Sequence, residues 1–77
     1  MIRVQLIGKP DCHLCLQAES TIAQVCAELS VGWESLSIFD DPQLANRFAE
    51  FIPVTLVDGQ VLEQFGISEA RLRAALK

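Results

Sequence analysis

No apolar run in this sequence approaches the ~20 residues of a membrane-spanning helix. The opening residues, MIRVQLIGKPDC, alternate in polarity and carry Arg3 inside their apolar stretch. They lack the basic start, continuous apolar middle and small-residue cleavage site of a signal peptide. A cytoplasmic location and no membrane partner are therefore expected. Basic residues are also few: six Lys and Arg stand against ten Asp and Glu, for a net charge of −4. A nucleic-acid surface needs a basic stripe. Only Arg71, Arg73 and Lys77 cluster, in what reads as the last helix, where cations suit the negative end of the dipole. No nucleic-acid partner is expected. Three cysteines are too few, and odd in number, for a structural disulfide framework. Repeats, linkers and low-complexity stretches are missing too. The 77 residues are expected to form one domain over 1–77, with one small core, as a monomer.

What is present is clear periodicity. IRVQLIG sets Ile2, Val4 and Leu6 against Arg3 and Gln5, predicting a half-buried strand that Gly8 and Pro10 end. From Cys12 the period changes. At 100° per residue, Leu14, Cys15, Ala18, Ile22, Val25, Cys26 and Leu29 share one stripe, while His13, Gln17, Ser20, Gln24 and Glu28 lie away from it. A long amphipathic helix follows, closing between Ser30 and Gly32, with Gly32 as the left-handed stop. WESLSIF predicts a second strand with Leu36 and Ile38 on one face. Asp40 or Asp41 offers a helix cap before Pro42, and Leu44, Ala45 and Phe48 give PQLANRFAEF a helical stripe. Two β-rich runs flank Asp58-Gly59, the strongest hairpin signal in the chain. SEARLRAALK closes with a helix that turns Leu72, Ala75 and Leu76 inward. The first strand-helix-strand unit implies parallel pairing with a right-handed crossover. The hairpin adds an antiparallel pair, so a mixed four-stranded α/β sheet covered by helices is expected.

Chemistry concentrates at GKPDCHLC, where strand gives way to helix. Residues three apart on a helix have Cα atoms about 5 Å apart, inside the disulfide window of roughly 4.4–6.8 Å. Cys15 lies at the edge of the apolar stripe, and Cys12 is rotated about 60° farther out, at the helix mouth. That division suits a nucleophile and a resolving thiol. The unpaired N–H groups and positive potential of a helix N-terminus stabilise a thiolate, the reactive form. Lys9 adds to this. Asp11 opposes it by charge, and as a helix cap would compete with the sulfur for the same N–H groups. His13, at the positive end of a helix, is expected to be mostly neutral near pH 7, a dipole or donor rather than a cation. A disulfide closing so short a loop stabilises by only roughly 2 kcal/mol in the loop-entropy model. The pair therefore reads as a transient chemical state rather than a staple.

A metal site is the rival. Structural zinc takes four ligands, and this chain has one Cys pair, one His and Cys26. Cys26 lies about 16 Å along the helix from Cys15, which excludes a shared mononuclear site and marks Cys26 as a small core residue. No metal is expected within one chain, leaving a cluster shared between chains as the open case. Trp33 reads as core rim.

KPDCHLC after a first strand, then IPVTLVDG and a closing helix, resembles the glutaredoxin-like branch of the thioredoxin superfamily, specifically the small bacterial glutaredoxin-like proteins with a C-H-L-C motif. The resemblance covers nearly the whole chain. It implies a thioredoxin-like βαβαββα fold with sheet order 2-1-3-4. It implies that Cys12 attacks a disulfide and Cys15 resolves the mixed disulfide. It also implies a cis Pro53 facing the dithiol, leaving the Ile52 backbone free to pair with a substrate; on the residues alone, Pro53 reads as a trans proline opening an edge strand. Departures are plain: His13-Leu14 stands where glutaredoxins usually have Pro-Tyr, Phe51-Ile52-Pro53 where they have Thr-Val-Pro, and Gly66 with Ser68-Glu69 where they have Gly-Gly and an Asp. Lys9 and the Ile52–Pro53 backbone remain to hold glutathione. The expectation is a small thiol–disulfide oxidoreductase acting on a protein or low-molecular-weight disulfide, without a tightly bound cofactor. Glutathione or a thioredoxin-reductase-like donor would recycle it. The alternative is a non-enzymatic redox-sensitive docking or metal-transfer module of the same fold.

Overall fold

A computed structural model describes residues 1–77. Its elements run β1 (Ile2–Gly8), α1 (His13–Leu29), β2 (Gly32–Ser37), α2 (Pro42–Phe48), β3 (Val54–Val57), β4 (Gln60–Glu63) and α3 (Glu69–Leu76). The strands form one sheet in the order β2-β1-β3-β4, as the resemblance implies. β1 runs parallel to β2, with Leu6 opposite Ser35, and antiparallel to β3, with Leu6 opposite Thr55. β4 returns antiparallel to β3.

Alternation along β1 divides the core. Val4 and Leu6 face Ala18, Ile22, Val25 and Cys26 of α1 and Leu72 and Leu76 of α3. Ile7 faces the other way, onto Val54, Leu56, Ile38 and Phe48. Each fully buried aliphatic side chain contributes about 1.5–3 kcal/mol. The single strand β1 thus holds both layers. Trp33 is half-buried against the α1 side, at the rim. No helix is long and apolar enough to cross a membrane.

Local chemistry fixes the boundaries. Ser30, not Gly32, takes the left-handed stop of α1 at φ 57, and the Ser30 and Val31 N–H groups both reach the Cys26 carbonyl. Gly32 instead begins β2, where a Cβ would stand 2.5 Å from the Met1 carbonyl oxygen. The glycine is needed for close approach rather than for a turn. Strand β2 ends at Ser37, short of the expected Phe39. The Ser37 N–H goes to the Asp40 carboxylate at 2.9 Å and the Phe39 N–H to Ser37 Oγ at 3.1 Å, which bends the chain away from the sheet. Of the two candidate caps for α2, Asp41 serves, accepting from the Gln43 N–H at 2.8 Å. Ser68 caps α3. Asp58 and Gly59 both have positive φ, 53° and 84°, as a two-residue type I′ hairpin requires. Arg3 forks onto the Asp58 carboxylate at 3.0 and 2.9 Å, tying the turn to β1.

Candidate functional site

The C-terminal end of β1 delivers the chain to one end of the sheet, where α1 begins. Between them lie Lys9, Pro10 and Asp11. Asp11 turns the chain with φ 58, and Cys12 then takes extended angles as the N-cap of α1. Its Sγ accepts the Cys15 N–H at 3.2 Å. The cap is thus the sulfur itself. The capping role weighed for Asp11 is not found: its exposed carboxylate takes no helix N–H, because the left-handed turn places Cys12 at the cap position.

Cys12 and Cys15 have Cα atoms 5.2 Å apart and sulfurs at disulfide distance. Cys15 is 6% exposed, whereas Cys12 is half-buried at the helix mouth. Gly8 lies directly beneath. A Cβ there would meet Cys15 Sγ at 2.9 Å and Cys15 Cβ at 3.2 Å. This contact was missed in the sequence, where Gly8 reads only as the end of a strand. Nothing in a sequence separates that role from making room for a sulfur.

Lys9 borders an open cleft of about 290 Å³ together with Asp11, Cys15, Glu19 and Asp40. His13 is exposed, and its Nε2 accepts from or donates to the Gln17 side chain at 3.1 Å according to tautomer. Leu14, expected on the buried stripe, is 52% exposed. Cys15 beside it, on the same stripe, packs on Gly8 and is buried, so the sheet covers one edge of the stripe and leaves Leu14 at the other. Leu14 borders instead a second cleft, of about 430 Å³, shared with Phe65 and Gly66 of the β4–α3 loop.

Ile7 pairs with Val54, which sets Pro53 beside Gly8 at the dithiol end of the sheet. The Ile52–Pro53 peptide is cis, and Pro53 is buried. Its carbonyl accepts the Gly66 N–H at 3.0 Å, and the Phe51 carbonyl accepts the Phe65 N–H at 3.1 Å. These two bonds lash the segment before β3 to the loop after β4. The Phe51 and Phe65 rings meet edge to face with centroids 6.3 Å apart. Phe65 too escaped sequence reading, since an isolated aromatic in a loop carries no periodic signal.

Cys26 is buried within α1, and that burial pushes its thiol pKa up. Nowhere do three or more His, Cys, Asp or Glu side chains converge as a metal site would need. The sheet, the caps and the paired cysteines thus assemble one site, at the mouth of α1.

A family model for the glutaredoxin-like domain (DUF836) matches residues 3–77. The X-ray structure of Northeast Structural Genomics target protein XcR50 from X. campestris is 32% identical, covers 95% of this chain and 93% of its own, and superposes with a TM-score of 0.75. The uncharacterized protein Rv0508 of Mycobacterium tuberculosis is 29% identical over 79 residues, or 94% of this chain and 79% of that protein. A wheat glutaredoxin structure, 14% identical, covers 83% of this chain and 63% of its own with a TM-score of 0.63. That last likeness speaks for the fold alone.

Proposed function

This chain belongs to the glutaredoxin-like domain family, and from that premise we propose that it is a thiol–disulfide oxidoreductase working through Cys12 and Cys15. One observation carries the reading. Two cysteines stand at disulfide distance where a helix begins: Cys12 caps it and is reachable at its mouth, and Cys15 lies buried in its first turn. In the reduced protein the Cys12 thiolate would sit where its sulfur now accepts the Cys15 N–H, in the positive potential of the first turn.

The exchange balances without a resident cofactor. The Cys12 thiolate attacks one sulfur of a substrate disulfide. That S–S bond breaks, a Cys12–substrate disulfide forms, and the departing thiolate takes a proton. Cys15 then loses its proton and attacks the Cys12 sulfur. The internal disulfide closes and the second substrate thiol leaves. Two electrons pass from the dithiol to the substrate, and reversal oxidises a substrate dithiol. Ile52 and Pro53 would border the attacking sulfur and offer backbone for strand-like pairing. Lys9, Asp11 and His13 would tune the thiolate, with Asp11 opposing Lys9. A reducing compartment such as the cytoplasm suits a pair that must return to dithiol, with glutathione or a reductase as the source of electrons.

Equilibration across reduced-to-oxidised glutathione ratios, followed by alkylation and intact mass, tests this. A reversible two-thiol transition is expected, and Cys15→Ser should accumulate a mixed disulfide on Cys12. Thiols that never pair under oxidising ratios would sink the exchange reading and leave a docking or metal-transfer module in its place.

A further inference from the structure

The dithiol end carries the molecule's exposed aromatics. Phe39, Phe51 and Phe65 are 75%, 37% and 61% exposed. Phe39 follows β2, Phe51 precedes β3 and Phe65 follows β4, so the topology brings all three to the sheet end from which α1 departs. Leu14 and Leu16, also exposed, come from the first turn of α1. The remaining exposed large apolar residues, Met1, Ile2, Leu29 and Val61, belong to the opposite end. Phe51 and Phe65 meet edge to face, while Phe39 stands at the β2 edge across the sheet; paired exposed aromatics beside a reactive site mark a protein-binding surface.

Phe65 is the most telling. It holds φ 65, a conformation that costs a bulky residue about 1–2 kcal/mol. Its ring is not buried in return. It stands edge to face with Phe51, and its backbone is bonded to the Phe51 carbonyl. The fold thus holds two aromatic rings ready, beside a cleft roomy enough for a partner's side chain.

Charge narrows the occupant. In the cleft that Cys15 borders, Lys9 is one cation among Asp11, Glu19 and Asp40. In the cleft beside Leu14 the only charged side chain is Glu63. Glutathione brings two carboxylates, which need cations or aimed N–H donors. A second copy of this chain would bring the same acidic face, on a molecule of net charge −4. A basic and apolar segment meets both features.

We propose that the site prefers a polypeptide disulfide flanked by apolar and basic side chains over the disulfide of glutathione. The inference rests on the exchange reading given above and names its substrate class.

The test is a competition of single turnovers. The reduced protein is mixed with oxidised glutathione, or with a synthetic peptide cyclised through two cysteines flanked by Phe and Lys. Loss of free thiols is followed by acid quench, alkylation and intact mass. The peptide should react at least about tenfold faster at low ionic strength, and the advantage should shrink with salt. Phe65→Ala should lower the peptide-to-glutathione rate ratio about fivefold, the scale of one aromatic contact. Glu19→Lys, at a half-buried position on the wall of that cleft outside the helix caps and the buried core, should lower the ratio about two- to threefold. A ratio near one, or a ratio that neither substitution moves, overturns the proposal while the exchange reading stands. If neither probe oxidises the pair, both readings fall.

Discussion

Gly8 and Cys15 share a space that admits no further carbon, because a methyl at Gly8 would stand 2.9 Å from the Cys15 sulfur. The neighbouring atoms belong to a side chain fixed at the buried start of a helix, so they give way only by tilting α1 or turning Cys15. Gly8→Ala is therefore expected to cost about 1–3 kcal/mol, the range for overpacking a tight interior. It should also slow closure of the Cys12–Cys15 disulfide. Urea unfolding of the oxidised protein and the rate of disulfide formation in the variant check both effects. Cys26 shows the opposite fate of a sulfur. It is 1% exposed, and burial raises its pKa, so thiolate is scarce and access is blocked. Alkylation of the reduced native protein near pH 8 should label Cys12 first and leave Cys26 unmodified until the chain is unfolded, as peptide mapping would read.

At the scale of elements, the hairpin turn isolates a purely conformational effect. Gly59 has φ 84, and a Cβ there would touch nothing within 4 Å. Gly59→Ala therefore meets no clash, only the preference of an L-residue against that region. A loss of about 1 kcal/mol is expected in urea unfolding, with the β3–β4 register kept. Turn chemistry of this kind is legible in a sequence because Asp-Gly carries it in two adjacent residues. The helices were legible for the same local reason, through the stripe at 100° per residue. What escaped depended on distance along the chain. The αL stop of α1 falls on Ser30, and Gly32 serves instead a close approach to Met1, thirty-one residues earlier, which no local pattern reveals. Leu14 fits the stripe yet has no neighbour to cover it. Nor does pattern alone say which edge of the β1–β2 pair receives the hairpin, and the order 2-1-3-4 came from resemblance. For the site, the cysteine pair and its helix mouth were visible in seven residues. Gly8 beneath it, and Phe65 joined to Phe51, became visible only when the strands brought separate segments together.

Across the whole molecule, exposed ion pairs centred on two arginines join segments far apart in sequence. Arg3 binds Asp58 and fastens β1 to the hairpin. Arg73 binds Glu28 and Glu69, which fastens the end of α1 to α3. Hydrogen bonds from the two arginines hold the Asp58 and Glu28 carboxyls below their ordinary values of 3.8 and 4.5. A depressed folded-state pKa means that the unfolded chain binds protons first as pH falls. The stability from these pairs is thus fully present above the ordinary values and is lost as pH drops through the lowered ones. Unfolding midpoints should be level, as far as these groups act, from pH 7 to about 5.5, and then decline below about 4.5. Both carboxylates are about half exposed, at 56% and 47%, so the contribution is small and screened by salt. Urea titrations at a series of pH values should show a shallower acid limb in an Asp58→Asn, Glu28→Gln double variant. Added salt should shrink the difference between variant and parent at pH 7. An acid limb equally steep in both proteins would assign the decline to other carboxylates and reduce these pairs to surface contacts without energetic weight.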